Sequence, residues 1–201
     1  MVDIYIAEIP FPCSDKEIFP ASRKEAIERC KHPETKLQKY YVWKLLEYAL
    51  EKSMNITLEE SGLSRKDVGG WDCHACKISL SHSKKVVAVA VANTETGIDI
   101  ETNDRIFSPE LAGKILTPEE FLRYQGLLPE HKHKFMLKAW TQKEALFKKS
   151  NQKVFSPSKI QVTDKNIYST TIKFDENQYM LSVATDSPDK IRIITPFNNP
   201  L

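Results

Sequence analysis

No stretch of this 201-residue chain stays apolar for the roughly 18 residues that a bilayer-crossing helix requires, so a membrane span is not expected. Neither charge is in excess. Twenty-nine Lys and Arg stand against 27 Asp and Glu, a formal net charge of +2. That balance lacks the lopsided charge of a nucleic-acid binder. The opening MVDIYIAEIP has no basic start and no small-residue cleavage site of the signal-peptide kind, and a cytoplasmic location is the expectation. Cysteine is scarce, with only Cys13, Cys30, Cys73 and Cys76, which suits reduced thiols in that compartment. Cys73 and Cys76, with His74 between them, would make half a zinc site whose other half is missing. A redox role for C-H-A-C lacks its βαβ context, so packing or surface cysteines are expected. Low-complexity segments are absent, and so is any letter-level repeat.

What the chain does contain is a repeated order of elements. A strand at Asp3 to Ile9 precedes a proline-punctuated loop and two helical segments. In the second segment Leu37, Tyr40, Tyr41, Trp43, Leu45, Leu46, Tyr48, Ala49 and Leu50 form a broad apolar face at helical spacing, read as core. A polar connector, Ser61 to Gly70, leads to strands at Lys77 to Ser81 and Val86 to Asn93. After the turn 93–96 comes T-G-I-D-I-E, residues 96 to 101. The outline then recurs: helices at Pro109 to Leu116, from Thr117 as N-cap with Pro118 at N1, and from His131 to Lys149. Strands follow at Ile160 to Val162, Thr170 to Phe174, Tyr179 to Ala184 and Ile191 to Ile194. The expected architecture is α+β, with two pseudo-related halves packed together and joined near 93–97.

Three short segments carry chemistry. In a strand, Asp99 and Glu101 share one face while Ile98 and Ile100 share the other. Paired carboxylates repel, and that cost needs a cation, a proton or full solvation. The helix segment KAWTQKEALFKKS places Trp140, Glu144 and Lys148 four residues apart on one stripe. Glu144 and Lys148 read either as an ordinary surface pair or, beside TGIDIE, as a third carboxylate and a lysine serving a hard divalent cation that holds phosphate oxygens. In ISLSHS, His82 ends a strand and starts a turn at 83–85. It is either a strand-end histidine without a role or a hydrogen-bond donor to phosphate.

The order S-L-S-H-S, then T-G-I-D-I-E, then W-T-Q-K-E-A-L-F-K resembles the signature of the 4′-phosphopantetheinyl transferases, G-[IV]-D-x-E followed some forty residues later by W-[ST]-x-K-E-[AS]-x-x-K. Chain length and the upstream histidine strand are similar to the larger, pseudo-dimeric, Sfp-type branch. The resemblance implies two pseudo-symmetric α/β halves, residues 1–94 on the nucleotide side and 95–201 carrying the acids, with the active site at their interface. It implies transfer of the phosphopantetheine arm of coenzyme A to a serine of an apo acyl or peptidyl carrier protein, releasing adenosine 3′,5′-bisphosphate. Such carriers serve fatty acid, polyketide or peptide synthesis. By motif, Asp99, Glu101 and Glu144 would hold Mg²⁺, Lys148 would stabilise phosphate charge, and Ser81 and His82 would touch phosphate. Glu144 would deprotonate the carrier serine. Arg23 and Lys39 are placed at the nucleotide by offset alone, and Lys143 would add positive potential although its place on the helix is off the Glu144 stripe. The G-K-P run common in the family is absent from VGGWDCHACKISLSHS. Arg105, Ile106, Phe107, Leu111 and Lys114, just beyond TGIDIE, would help receive an acidic carrier. A monomer is expected, since fused halves need no second copy. The rival expectations are a metal-dependent phosphohydrolase using the same acids and a non-catalytic carrier-binding module.

Overall fold

The computed structural model describes residues 1–14, 19–66, 70–186 and 190–197. Its order is β1 (Val2–Glu8), α1 (Ala21–Glu28), α2 (Pro33–Met54), β2 (Ser64–Arg65), β3 (Trp71–Asp72), β4 (Lys77–Ser83), β5 (Val86–Ala92) and β6 (Gly97–Thr102). There follow α3 (Pro109–Ile115), α4 (Pro118–Gln125), α5 (Pro129–Ser150), a 3₁₀ turn (Pro157–Lys159), β7 (Ile167–Phe174), β8 (Asn177–Ala184) and β9 (Ile191–Ile194). Four strands form a sheet in the order β4-β5-β1-β9, three form another in the order β6-β8-β7, and β2 pairs with β3. No helix among the described residues is long and apolar enough to cross a membrane.

Alternation along the strands builds the layers. Tyr5, Ala7, Val87, Val89 and Val91 face the apolar side of α2, where Val42, Trp43, Leu46 and Leu50 are buried. Ile4, Ile6, Ala88 and Ala90 face the other way, onto Ile98, Ile100, Leu181 and Val183 of the second sheet. Burying each Ile or Leu here contributes about 1.5–3 kcal/mol. On the outer face of the second sheet lies α5, with Ala145 against Ile167 and Ala184 and the Thr141 hydroxyl 2.8 Å from that of Ser182. The result is helix, sheet, sheet, helix.

Several expectations meet a different outcome. Residues 160–162 are not a strand. The chain turns there at 157–159, and the carbonyls of Pro157 and Ile160 accept from Lys143 at 2.9 and 3.1 Å. Strand β4 runs on to Ser83, so His82 sits within it rather than opening a turn. The connector 61–70 contains β2, while its residues 67–69 lie outside the described residues, as do 187–189 and 198–201 of the second half. Strand β9 pairs in parallel with β1 and so completes the first sheet. Helix α4 has the expected cap: the Thr117 hydroxyl accepts from the Glu120 amide at 3.3 Å, and the Glu120 carboxylate accepts from the Thr117 amide at 2.9 Å.

The helix α5 sits close to β6 because Gly97 has no side chain. A Cβ there would stand 1.9 Å from the Ala145 carbonyl oxygen and 2.7 Å from the Lys149 amide nitrogen, both backbone atoms that cannot rotate away. Gly97→Ala should therefore destabilise the fold by about 3 kcal/mol or more, the upper end of overpacking. Gly113→Ala, whose Cβ would meet open space on α3, should stabilise by about 0.5–1 kcal/mol. Urea unfolding of the two variants checks the pair. Equal stability of Gly97→Ala and the unaltered chain would refute the close approach.

Candidate active site

Strands β4 and β6 are each an edge of their own sheet, and they meet through serine hydroxyls. The amides of Ile98, Ile100 and Thr102 donate to Ser79 Oγ, Ser81 Oγ and Ser83 Oγ at 3.0, 3.2 and 3.0 Å. A hydroxyl accepts and donates at once. Ser81 passes its proton side to Asp99 Oδ1 at 2.8 Å, and Ser83 does the same to Glu101 Oε2 at 2.8 Å. Ser79 stands opposite the amide that follows Gly97, which offers no carboxylate. The two acids are thus aimed by the same hydroxyls that cap the strand.

Asp99 and Glu101 point away from the apolar face, towards α5. Lys148 Nζ donates to Asp99 Oδ1 at 2.8 Å, to the Ile98 carbonyl at 3.0 Å and to Ser81 Oγ at 3.3 Å. Of the two readings of the Glu144 and Lys148 stripe, the surface pair is not formed, and Lys148 pairs with Asp99 across the seam. The far oxygen Asp99 Oδ2 is buried and has no hydrogen-bond partner among the described residues. Glu101 Oε1 is ion-paired with Arg105. Burial pushes the Glu101 carboxyl above its ordinary range, against the pull of Arg105 and with help from the charge of Asp99. Glu144 is likewise raised, by burial first; Lys148 and Arg105 oppose the shift, and Asp99 and Glu101 add to it.

Ser81 and His82 leave β4 on opposite faces, so Ser81 joins the carboxylates while His82 lies on the side of α2. The pKa of His82 is lowered to about 4, first by desolvation among its neighbours and then by Lys148, Arg23 and Lys39, with Asp99 acting the other way. The ring remains exposed. Solvent weakens the penalty, and the lowered value leaves the ring neutral at pH 7. Arg23 and Lys39 thus stand within electrostatic reach of His82. The guanidinium of Arg23 donates to the Lys39 carbonyl and lies 5.2 Å from the centre of the Trp43 ring. Its pKa is lowered to about 10, by burial and then by Arg65. Arg65 is one residue that motif and spacing did not flag. Ser83 and Ser79 are two others, although their i, i+2, i+4 spacing with Ser81 was visible in ISLSHS.

Lys143 is not brought to this cluster. Its side chain is fully buried, paired with Glu120 at 2.7 Å, and donates to two carbonyls of the 157–160 turn. It fastens α5 to α4 and has no donor left to face a phosphate. Phe107 packs in the small core under α3 and α5, Ile106 is 90% exposed and Leu111 is 37% exposed. A cleft of about 250 Å³ opens beside Lys148, between Ile78, Leu80 and Trp71 on one wall and Phe147 on the other, with Lys66 at its lip. A larger and more open cavity of about 760 Å³ lies beyond the end of α5 and touches none of the three acids.

The donor chemistry suits a hard divalent cation: Asp99 Oδ2 is unpartnered, and two neighbouring carboxyls are each pushed up by burial, with the charge of Asp99 adding to the shift. No three His, Cys, Asp or Glu side chains among the described residues converge as a finished ligand shell. Lys148 and Arg105 hold two of the acids instead. Residues 95–191, just under half of the chain, match the model of the 4′-phosphopantetheinyl transferase superfamily. No curated protein matches the sequence.

Raised carboxyl pKa values have a definite sign in stability. A group protonated more readily when folded contributes stability below its unfolded pKa and loses it as pH rises through the folded one. In chelator and without coenzyme A, Glu144→Gln should melt about 1–4 °C above the unaltered chain at pH 7–8, with the advantage vanishing towards pH 4.5. His82 runs oppositely in both proteins and cancels in the difference. A Tm difference that is constant across pH would show that Glu144 is not strained.

Proposed function

We propose that this chain transfers the 4′-phosphopantetheine arm of coenzyme A to a serine hydroxyl of an apo acyl or peptidyl carrier protein, as a cytoplasmic, Mg²⁺-dependent enzyme of the Sfp-type branch. The observation that carries the reading is the meeting of Asp99, Glu101, Glu144 and Lys148 at one seam, within the segment that matches the superfamily. In this reading residues 1–94 and 95–201 act as the two halves, with β9 lent back to the first sheet.

Asp99, Glu101 and Glu144 would hold the cation, Asp99 through its free Oδ2. Bound there, Mg²⁺ would neutralise pyrophosphate charge and polarise the phosphorus that is attacked. The remaining steps belong to the chain. Glu144, within the field of Asp99, Glu101 and Lys148, is the general base in this reading. It takes the serine proton as the serine oxygen bonds to the β-phosphorus. The bond from that phosphorus to the bridging oxygen breaks, and adenosine 3′,5′-bisphosphate leaves with the bonding pair. Lys148, held beside Asp99, would bring positive charge to the phosphate oxygens. His82, neutral, donates a hydrogen bond without a counter-charge, and Arg23 and Lys39 supply cations to the nucleotide phosphate on the same side. Ile106, exposed on the loop after β6, offers a carrier an apolar anchor.

Incubation with coenzyme A, Mg²⁺ and an apo carrier should raise the carrier's mass by one phosphopantetheine arm. Coenzyme A consumption without that gain would favour the hydrolase, and no turnover the binding module. Lys148→Met should lower kcat by about 10²-fold or more, as loss of a transition-state cation does. The loss should be larger than any change in coenzyme A binding. A variant that keeps its rate would return Lys148 to a structural role.

A further inference from the structure

Glu101 has a competitor for any bound cation already in place. Its Oε1 is ion-paired with Arg105 and its Oε2 accepts from Ser83. A serine hydroxyl can keep its bond to a carboxylate that ligates a metal. A guanidinium cannot share the same carboxylate with a divalent cation without strong like-charge repulsion. We propose that Arg105 is the counter-ion of Glu101 in the metal-free chain and that its guanidinium is displaced when the cation binds. The inference rests on the reading of Glu101 as a metal ligand.

The surroundings of Arg105 suit such an exchange. Its guanidinium lies 4.5 Å from the centre of the Trp140 ring and 5.4 Å from that of Phe107. Those faces attract a cation whether or not a carboxylate is present. The backbone is held independently, because the Arg105 amide donates to the Thr102 carbonyl at 3.1 Å and its own carbonyl sits 2.9 Å from His133 Nε2. The exchange is therefore a side-chain swing on a fixed loop. Lys148 differs. Besides Asp99 it bonds a backbone carbonyl and a serine, so it stays when the metal arrives. Once released, Arg105 stands beside Ile106, and a cation next to an exposed apolar side chain is what an acidic helical carrier would meet. Metal loading and carrier reception become linked through one side chain.

Mn²⁺ titration followed by EPR, at pH 8 without coenzyme A or carrier, tests this directly. Arg105→Gln should bind Mn²⁺ about threefold or more tightly than the unaltered chain, through removal of a competing charge. Arg105→Lys, which keeps the charge, should stay near the unaltered affinity and serves if the glutamine variant folds poorly. In parallel, Mg²⁺ should change tryptophan emission in the unaltered chain and not in Trp140→Phe, although Mn²⁺ still binds that variant. Equal or weaker Mn²⁺ binding by Arg105→Gln, or an emission change that survives in Trp140→Phe, would overturn the displacement. If the unaltered chain and both Arg105 variants bind no Mn²⁺, the ligand role of Glu101 itself fails, and the displacement falls with it.

Discussion

Three serine hydroxyls hold the edge of one sheet to the edge of the other. An edge strand leaves every second amide without a ladder partner. Here the amides of Ile98, Ile100 and Thr102 find Ser79, Ser81 and Ser83 in place of a backbone. Leaving one such buried amide unpaired would cost about 1–3 kcal/mol. Because a hydroxyl also donates, two of the three fix a carboxylate as well. The fold's closure and the aim of Asp99 and Glu101 are one arrangement, and neither could change without the other.

Helix α5 supplies what that seam leaves unbalanced. Gly97 lets its backbone come near enough for Lys148 to reach three acceptors around Asp99, and for Glu144 to lie in the field of both acids. Further along the same helix, Lys143 is consumed by the structure and Trp140 receives Arg105. Within nine residues one helix thus provides a structural cation, a carboxyl raised by burial, a counter-ion and an aromatic platform. The carboxylates at the seam are balanced in the metal-free chain by two side-chain cations, one firmly bound and one held through a single carboxylate. In the proposed reading, that asymmetry makes Arg105 the side chain that a divalent cation would displace.

The alternation of TGIDIE and the helical spacing of Glu144 and Lys148 were legible because both follow from local geometry with fixed periods. The cap at Thr117 was legible for the same reason. Which cation met which acid was not. Lys148 could turn to Glu144 on its own helix or to Asp99 across the seam, and only the depth of the α5 approach, permitted by Gly97, decides it. The position of Lys143 off the Glu144 stripe follows from helical spacing, whereas the buried carbonyls that receive it do not. The β-branched Ile160 and Val162 flanking Gln161 suit a strand, but the Ile160 carbonyl is taken by that buried lysine. Ser81 and His82, adjacent in sequence, were grouped as phosphate contacts, whereas strand alternation sends them to opposite faces.

Amide exchange along β6 is the most direct measurement of the seam. In Ser81→Ala the Ile100 amide should lose its protection selectively. The Asp99 and Glu101 amides, which point the other way towards β8, should keep theirs. Unchanged protection at Ile100 would contradict the claim that a serine hydroxyl, and through it the placement of Asp99, closes this edge.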